Sequence, residues 1–189
     1  MCRIYCGPGL SDMAIDESIL NKIKKIKVML LDVDGVLTDG RIVYDSKGRD
    51  LKFFDVLDGL GVYLLKKSGI PTVLITAKNS RTIKHRAKDM KVDAVFSDVS
   101  PKTSVLEKIL AKYKVDKDEL CFIGDDLVDL GLMKQVGFGV AVANACAEIK
   151  GAADHITVKN GGRGAVREIV ELVLKTQGKW DELVKAYEN

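Results

Sequence analysis

Two short acidic motifs carry the chemistry that this chain could do. Asp32 and Asp34 flank Val33 directly after the apolar run Val28–Leu31, and Asp125 and Asp126 follow Gly124 after a second apolar run, Leu120–Ile123. Carboxylates just past the C-terminal end of a buried strand project into the crevice where open α/β sheets bind ligands. Thr76 ends a third apolar run, Thr72–Ile75, and Lys102 opens a helical pattern after a fourth, Ala94–Phe96. A lone Asp-x-Asp would be a strand-to-loop turn with two solvated acids. Four such ends together offer a carboxylate pair, a hydroxyl, an ammonium and a second carboxylate pair. Clustered carboxylates repel one another unless a cation sits among them, and hard oxygen ligands suit Mg²⁺. A hydroxyl and an ammonium beside that ion make a cradle for a phosphoryl group.

The surrounding elements must bring those ends together. The runs Val28–Leu31, Thr72–Ile75, Ala94–Phe96, Leu120–Ile123 and Phe138–Val142 read as strands, and continuous apolar runs suit strands buried on both faces. Helical patterns lie between and after them: Leu60–Lys67 stopped by Gly69, Ser80–Met90, Pro101–Lys112, Leu127–Val136, and Ala165–Lys175 with Val166, Ile169, Val170 and Val173 on one face. Ser11 is placed to cap a helix reaching about Lys25, with Ile15, Ile19 and Ile23 on one side. The alternation predicts an α/β fold, a doubly wound, mostly parallel Rossmann-like sheet with helices on both faces. Arg41–Phe54 interrupts it: Ile42-Val43-Tyr44, a turn at Ser46-Lys47-Gly48 and Leu51-Lys52-Phe53-Phe54 predict a small β-hairpin flap after strand one, placed to cover a site. The expected organisation is an N-terminal extension and helix over 1–25, a single catalytic domain over 26–178 and a tail over 179–189.

Composition excludes several classes. The 189 residues carry 30 Lys+Arg against 27 Asp+Glu, a net charge of +3, so neither nucleic acid nor a membrane surface is expected as the main partner. With 47% hydrophobic and 30% charged residues, the chain can bury a core without disulfides or a structural metal. Cys2 and Cys6 have no second pair and no nearby His, so a zinc site is not expected, and Cys121 reads as a buried thiol. Met1–Leu10 lacks the apolar region of a signal peptide, and the apolar runs fall far short of the roughly 18 residues of a membrane span. A reducing cytoplasm is the expected compartment. His85 sits among basic residues on a solvated helix face, and His155 reads as structural.

The motif from Asp32 to Gly40, the strand end at Thr76, Lys102 and Gly124-Asp125-Asp126-Leu127-Val128-Asp129 together resemble the four motifs of the haloacid dehalogenase superfamily of phosphatases. The stretch from about Ile26 to Gly178, with its hairpin, Asp55-Val56-Leu57-Asp58-Gly59 and Gly161-Gly162-Arg163-Gly164-Ala165-Val166-Arg167-Glu168, is similar to the subgroup that dephosphorylates 3-deoxy-D-manno-octulosonate 8-phosphate. The resemblance implies Asp32 as nucleophile, Asp34 as general acid and base, and Thr76 and Lys102 as phosphoryl ligands. It implies Mg²⁺ held by Asp32, the backbone carbonyl of Asp34, and Asp125. Asp126 would orient metal-bound waters or Lys102, with Asp129 equally readable as a helix-dipole partner. Substrate contacts are implied at Asp55, Val56, Leu57, Asp58, Gly59, Lys78, Arg86 and Lys102. A homotetramer is implied, in which Arg163 and Arg167 of the C-terminal segment reach a neighbouring active site. The implied partner is a small phosphorylated sugar acid, and the implied setting is lipopolysaccharide precursor synthesis.

At three positions the chain departs from the subgroup, with Leu57, Tyr63 and Lys78 where arginine is common. Lysine keeps the charge but loses the planar fork that grips a carboxylate, and the other two lose the charge. A phosphatase of a different phosphosugar, such as a nonulosonate 9-phosphate, is therefore the alternative within the superfamily. A phospho-aspartate signalling module is the alternative outside it, although such modules lack an acid/base like Asp34 on the nucleophile's own strand end. The Gly161–Gly164 run reads either as a plain loop into a helix or as an anion cradle.

Overall fold

The computed structural model describes residues 16–188. Its strands are β1 (Val28–Leu31), the hairpin pair β2 (Val43–Tyr44) and β3 (Asp50–Leu51), β4 (Thr72–Ile75), β5 (Ala94–Phe96), β6 (Leu120–Gly124), β7 (Phe138–Ala141) and β8 (His155–Ile156). Apart from the hairpin, they form one parallel sheet in the order β5-β4-β1-β6-β7-β8. Every residue of β1, β4, β6 and β7 is buried, as expected of parallel strands covered on both faces. After β1 the main sheet grows outward through β4 and β5, then returns to the other side of β1 through β6, β7 and β8. The order thus reverses between β1 and β6, and at such a switch point the strand ends splay into a binding crevice.

The helices are α1 (Glu17–Lys24), α2 (Val56–Lys67), α3 (Arg81–Asp89), α4 (Leu106–Tyr113), α5 (Leu130–Met133), α6 (Ala147–Ala152), α7 (Ala165–Thr176) and α8 (Trp180–Lys185). The expected apolar face of α7 is in the core: Val166, Ile169, Val170 and Val173 are all fully buried, and α7 packs against α1 and α2. The expected cap at Ser11 lies outside the described residues; the described helix opens at Asp16, whose side chain accepts from the Ser18 N–H (3.0 Å).

Several boundaries move for local reasons. α2 begins earlier than the Leu60 expected, because Asp55 accepts from the Leu57 N–H (2.6 Å) and starts the helix there. The helix expected from Pro101 begins with a 3₁₀ turn, Lys102–Val105. The stretch expected as Leu127–Val136 is a 3₁₀ turn, Leu127–Asp129, followed by the short α5. The elements β8, α6 and α8, two to six residues long, offer too few periods to be read from a pattern. In the hairpin, Val43 pairs with Leu51 and Tyr44 with Asp50. Its turn is closed by Asp45, whose side chain accepts from the N–H groups of Lys47 (2.9 Å) and Arg49 (2.8 Å).

Candidate active site

Parallel pairing sets the centre. The Asp32 N–H donates to the Ile123 carbonyl (3.1 Å), which carries the β1–β6 ladder one step past the end of β1 and brings Asp32 alongside Asp125. Asp32 is only 5% exposed. Lys102, from the 3₁₀ turn after β5, is 3% exposed and donates to Asp32 and to Asp129 (2.5 Å). Asp129 is fully buried, and its second oxygen accepts from the backbone N–H groups of Asp125 (2.9 Å) and Asp126 (3.5 Å). Oxygens of Asp32, Asp125 and Asp129 all lie within 4.8 Å of one another.

Three carboxylates therefore share one ammonium. Burial, reinforced by the charges of Asp32 and Asp129, pushes the Asp125 carboxyl up to about 8. Burial also raises Asp32, against the pull of Lys102. Burial alone would lower Lys102, but Asp32 and Asp129 outweigh it and raise its pKa. The directions agree once the charges are counted: the ammonium has too many acids, and the acids have too little positive charge. A small hard cation would supply it, and the oxygen donors fit Mg²⁺.

The loop after β1 fits closely around this centre. Gly35 has φ +105°, and a Cβ there would lie 1.9 Å from an Asp125 carboxylate oxygen, so only glycine lets the loop pass. A Cβ on Gly162, at φ +64°, would lie 2.4 Å from the Thr38 backbone, and the Gly162 N–H donates to the Val36 carbonyl (2.8 Å). The glycine-rich run thus braces the loop of its own chain. Thr76 is buried at the end of β4, and its Oγ1 accepts from the Lys78 N–H (3.1 Å), which leaves the hydroxyl proton to donate.

Asp34 is half-buried beside this group and pairs with Lys52 of the hairpin, a residue not singled out by motif. The sequence alternation points the other way. In Leu51-Lys52-Phe53 the lysine turns inward, 5% exposed, while both apolar neighbours are exposed, the reverse of a solvated strand edge.

Other expected site residues have different surroundings. Asp126 is exposed and caps the Leu127–Asp129 turn by accepting from the Leu127 N–H (2.8 Å); Asp129, not Asp126, meets Lys102. Asp58 is buried and accepts from the N–H groups of Gly164 (3.2 Å) and Arg167 (2.8 Å), fastening α2 to α7, and burial pushes its carboxyl up to about 6. Gly59 is buried where Arg86 crosses α2, since a Cβ would meet the guanidinium at 2.3 Å. Arg86 donates to the Asp55 carbonyl (2.7 Å) and lies over the Phe54 ring. Arg167 donates to Glu171 (2.8 Å) and lies 5.3 Å above Trp180, so it is engaged within its own helix pair. Val56, Leu57 and Lys78 are exposed. A cavity of about 560 Å³ opens beside the hairpin, lined by Asp39, Arg41, Asp55, Leu57, Gly162 and Arg163. In it Arg41 (2.6 Å) and Arg163 (3.5 Å) both reach Asp39. No helix among the described residues is long and apolar enough to cross a membrane.

The chain as a whole is similar to known proteins. A family model described as haloacid dehalogenase-like hydrolase matches residues 90–169. The 3-deoxy-D-manno-octulosonate 8-phosphate phosphatase of Escherichia coli K12 is 36% identical over 168 residues, covering 89% of each chain. The crystal structure of the phosphatase of that name from Moraxella catarrhalis, in complex with magnesium ion, phosphate ion and KDO, superposes with a TM-score of 0.87 at 40% identity, over 89% of this chain and 97% of that one. A cobalt-bound phosphatase of the same kind from Haemophilus influenzae superposes with a TM-score of 0.81 at 35% identity, over 84% of this chain and 92% of that one. At such identity along nearly the whole length, the chain belongs to the haloacid dehalogenase-like hydrolases, in their 3-deoxy-D-manno-octulosonate 8-phosphate phosphatase family, and is a phosphoric monoester hydrolase.

Proposed function

We propose that this enzyme hydrolyses 3-deoxy-D-manno-octulosonate 8-phosphate to the free sugar acid and phosphate, through an aspartyl-phosphate on Asp32. The observation that carries this reading is the buried set of Asp32, Asp125 and Asp129 around Lys102, at the switch point of the sheet. Asp32 attacks phosphorus in line while Asp34 gives its proton to the bridging oxygen, so the P–O bond to the sugar breaks and the alcohol leaves. Asp34, now a carboxylate, takes a proton from water as that oxygen attacks phosphorus, and the bond to Asp32 breaks to release phosphate. Lys102 and the Thr76 hydroxyl bind the transferring group throughout. Mg²⁺, held by Asp32, Asp125 and the Asp34 carbonyl, would neutralise charge on the phosphoryl oxygens.

The enzyme acts in this reading as a homotetramer in the cytoplasm, supplying lipopolysaccharide precursor. The apolar side chains exposed on the hairpin and early α2, among them Ile42, Tyr44, Phe53 and Val56, support association with further copies. The exposed Arg163 at the cavity edge is then placed to reach a neighbouring site. A second reading, a different phosphosugar such as a nonulosonate 9-phosphate, is favoured by Leu57, Tyr63 and Lys78, which lack the guanidinium forks suited to a sugar carboxylate. The test is phosphate release from a panel of sugar phosphates, with Mg²⁺ and with EDTA. The octulosonate 8-phosphate is expected to have the highest kcat/KM, and only with Mg²⁺. A higher value for another phosphosugar would establish the second reading.

A further inference from the structure

Lys52 has no task in the reaction described above, yet its ammonium is held inside the protein. A buried ammonium is costly unless it is paired. Lys52 is paired twice, with Asp34 and with Asp50 (3.4 Å). Asp50 is itself tied to the start of α3, because the Ser80 hydroxyl donates to its carboxylate (3.3 Å) and the Thr82 hydroxyl to its carbonyl (3.3 Å). Ser80 also caps α3 through the Thr82 N–H (3.1 Å). A continuous polar chain therefore runs from the start of α3 through the return strand of the hairpin to Asp34.

We propose that Lys52 is a positioning residue for the acid–base carboxylate: it holds Asp34 at the mouth of the site, so that the hairpin fixes the proton donor. This rests on the role given to Asp34 above. The three acids around Lys102 would repel Asp34, and Lys52 gives it an ion pair of its own, separate from the one that Lys102 makes with Asp32 and Asp129. The Lys52 ammonium lies between two carboxylates of its own chain, which gives it a structural hold independent of substrate.

Proton donation matters for an alkoxide leaving group and hardly at all for 4-nitrophenolate, which leaves as a stable anion. The experiment compares kcat/KM on the best sugar phosphate and on 4-nitrophenyl phosphate, because that ratio reports the step in which the leaving group departs. Lys52→Met is expected to lower kcat/KM about 10- to 100-fold on the sugar phosphate and far less on the aryl phosphate, with inhibition by inorganic phosphate unchanged. Lys52→Arg is expected to recover part of the loss. Asp34→Asn serves as the reference and is expected to show the same skew, larger. A skew with Asp34→Asn but equal losses on both substrates with Lys52→Met would overturn the proposal and leave the role of Asp34 standing. No skew with Asp34→Asn would overturn that role and the proposal with it. Weaker inhibition by phosphate in Lys52→Met would make Lys52 a phosphoryl ligand, again overturning the proposal. Should Lys52→Met not fold, Asp50→Asn, which loosens Lys52 without removing it, is expected to show a smaller skew of the same kind; its absence there would equally refute the proposal.

Discussion

Replacing Asp129 by asparagine separates two ways in which a buried acid can matter. One oxygen of Asp129 accepts from Lys102 (2.5 Å) and the other from the Asp125 N–H (2.9 Å), so an asparagine must turn an N–H toward one of these donors. At an effective dielectric near 20, a unit-charge pair about 3–5 Å apart is worth ~3–6 kcal/mol. The substitution loses one such attraction, to Lys102, and relieves one such repulsion, with Asp32 within 4.8 Å; Asp125, raised to about 8, is largely uncharged at neutral pH without metal and adds little. The charge effects nearly offset, leaving a lost or mismatched hydrogen bond of about 1–3 kcal/mol. For a chain of this length that lowers Tm by roughly 2–12 °C. Turnover is expected to suffer far more, because Lys102 keeps only Asp32 as an anchor, and displacing one preorganised donor costs on the order of 10²-fold. Thermal melts and steady-state kcat on one preparation check both figures. Asp126→Asn, a change at an exposed cap, is the comparison and is expected to cost less than about 1 kcal/mol and far less turnover. Full activity in Asp129→Asn, or a loss of activity no greater than in Asp126→Asn, would refute the reasoning.

Two further outcomes follow from the burial of acids. The Asp125 carboxyl is raised to about 8, so without metal its contribution to stability is fully present below about 4 and is lost as pH rises through about 8. A metal that needs the carboxylate reverses this trend, so the increase in Tm on adding Mg²⁺ is expected to grow with pH across that window, with proton release on binding detected by calorimetry in two buffers. An increase in Tm independent of pH would remove Asp125 as a ligand. Asp58→Ala leaves the N–H groups of Gly164 and Arg167 without their acceptor at the α2–α7 junction. It is expected to lower unfolding free energy by about 1–3 kcal/mol per group, read from denaturant curves; an unchanged midpoint would show that junction to be held by apolar packing alone.

The strands were legible because parallel strands buried on both faces are written as unbroken apolar runs, as at Val28–Leu31 and Thr72–Ile75. Asp32 and Asp125 were legible for the same reason, since Asp32 stands directly past one such run and Asp125 one glycine past another. What lies one turn further was not. Whether Asp126 or Asp129 faces inward depends on a 3₁₀ turn closed by a capping box between those two residues, and no periodicity distinguishes it from the start of an α-helix. The surroundings of Asp58, Arg86 and Arg167 depend on partners far along the chain or on a later helix: Gly164, the Asp55 carbonyl and Trp180. A sequence pattern supplies the side chains but not those meetings. Lys52 was not legible, because the alternation Leu51-Lys52-Phe53 reads as a strand end with the lysine in solvent, and the fold inverts it.

The covalent step at Asp32 is the centre of the account. Enzyme mixed with substrate and Mg²⁺, quenched with borohydride and digested, can be mapped by mass spectrometry for the homoserine that reduction of an aspartyl-phosphate leaves. The modification is expected at Asp32 alone, and absent both without substrate and in Asp32→Asn, which should fold but not turn over. A fully active enzyme that never accumulates label at Asp32 under rapid quench, or an Asp32→Asn variant that still releases phosphate at an appreciable rate, would contradict it.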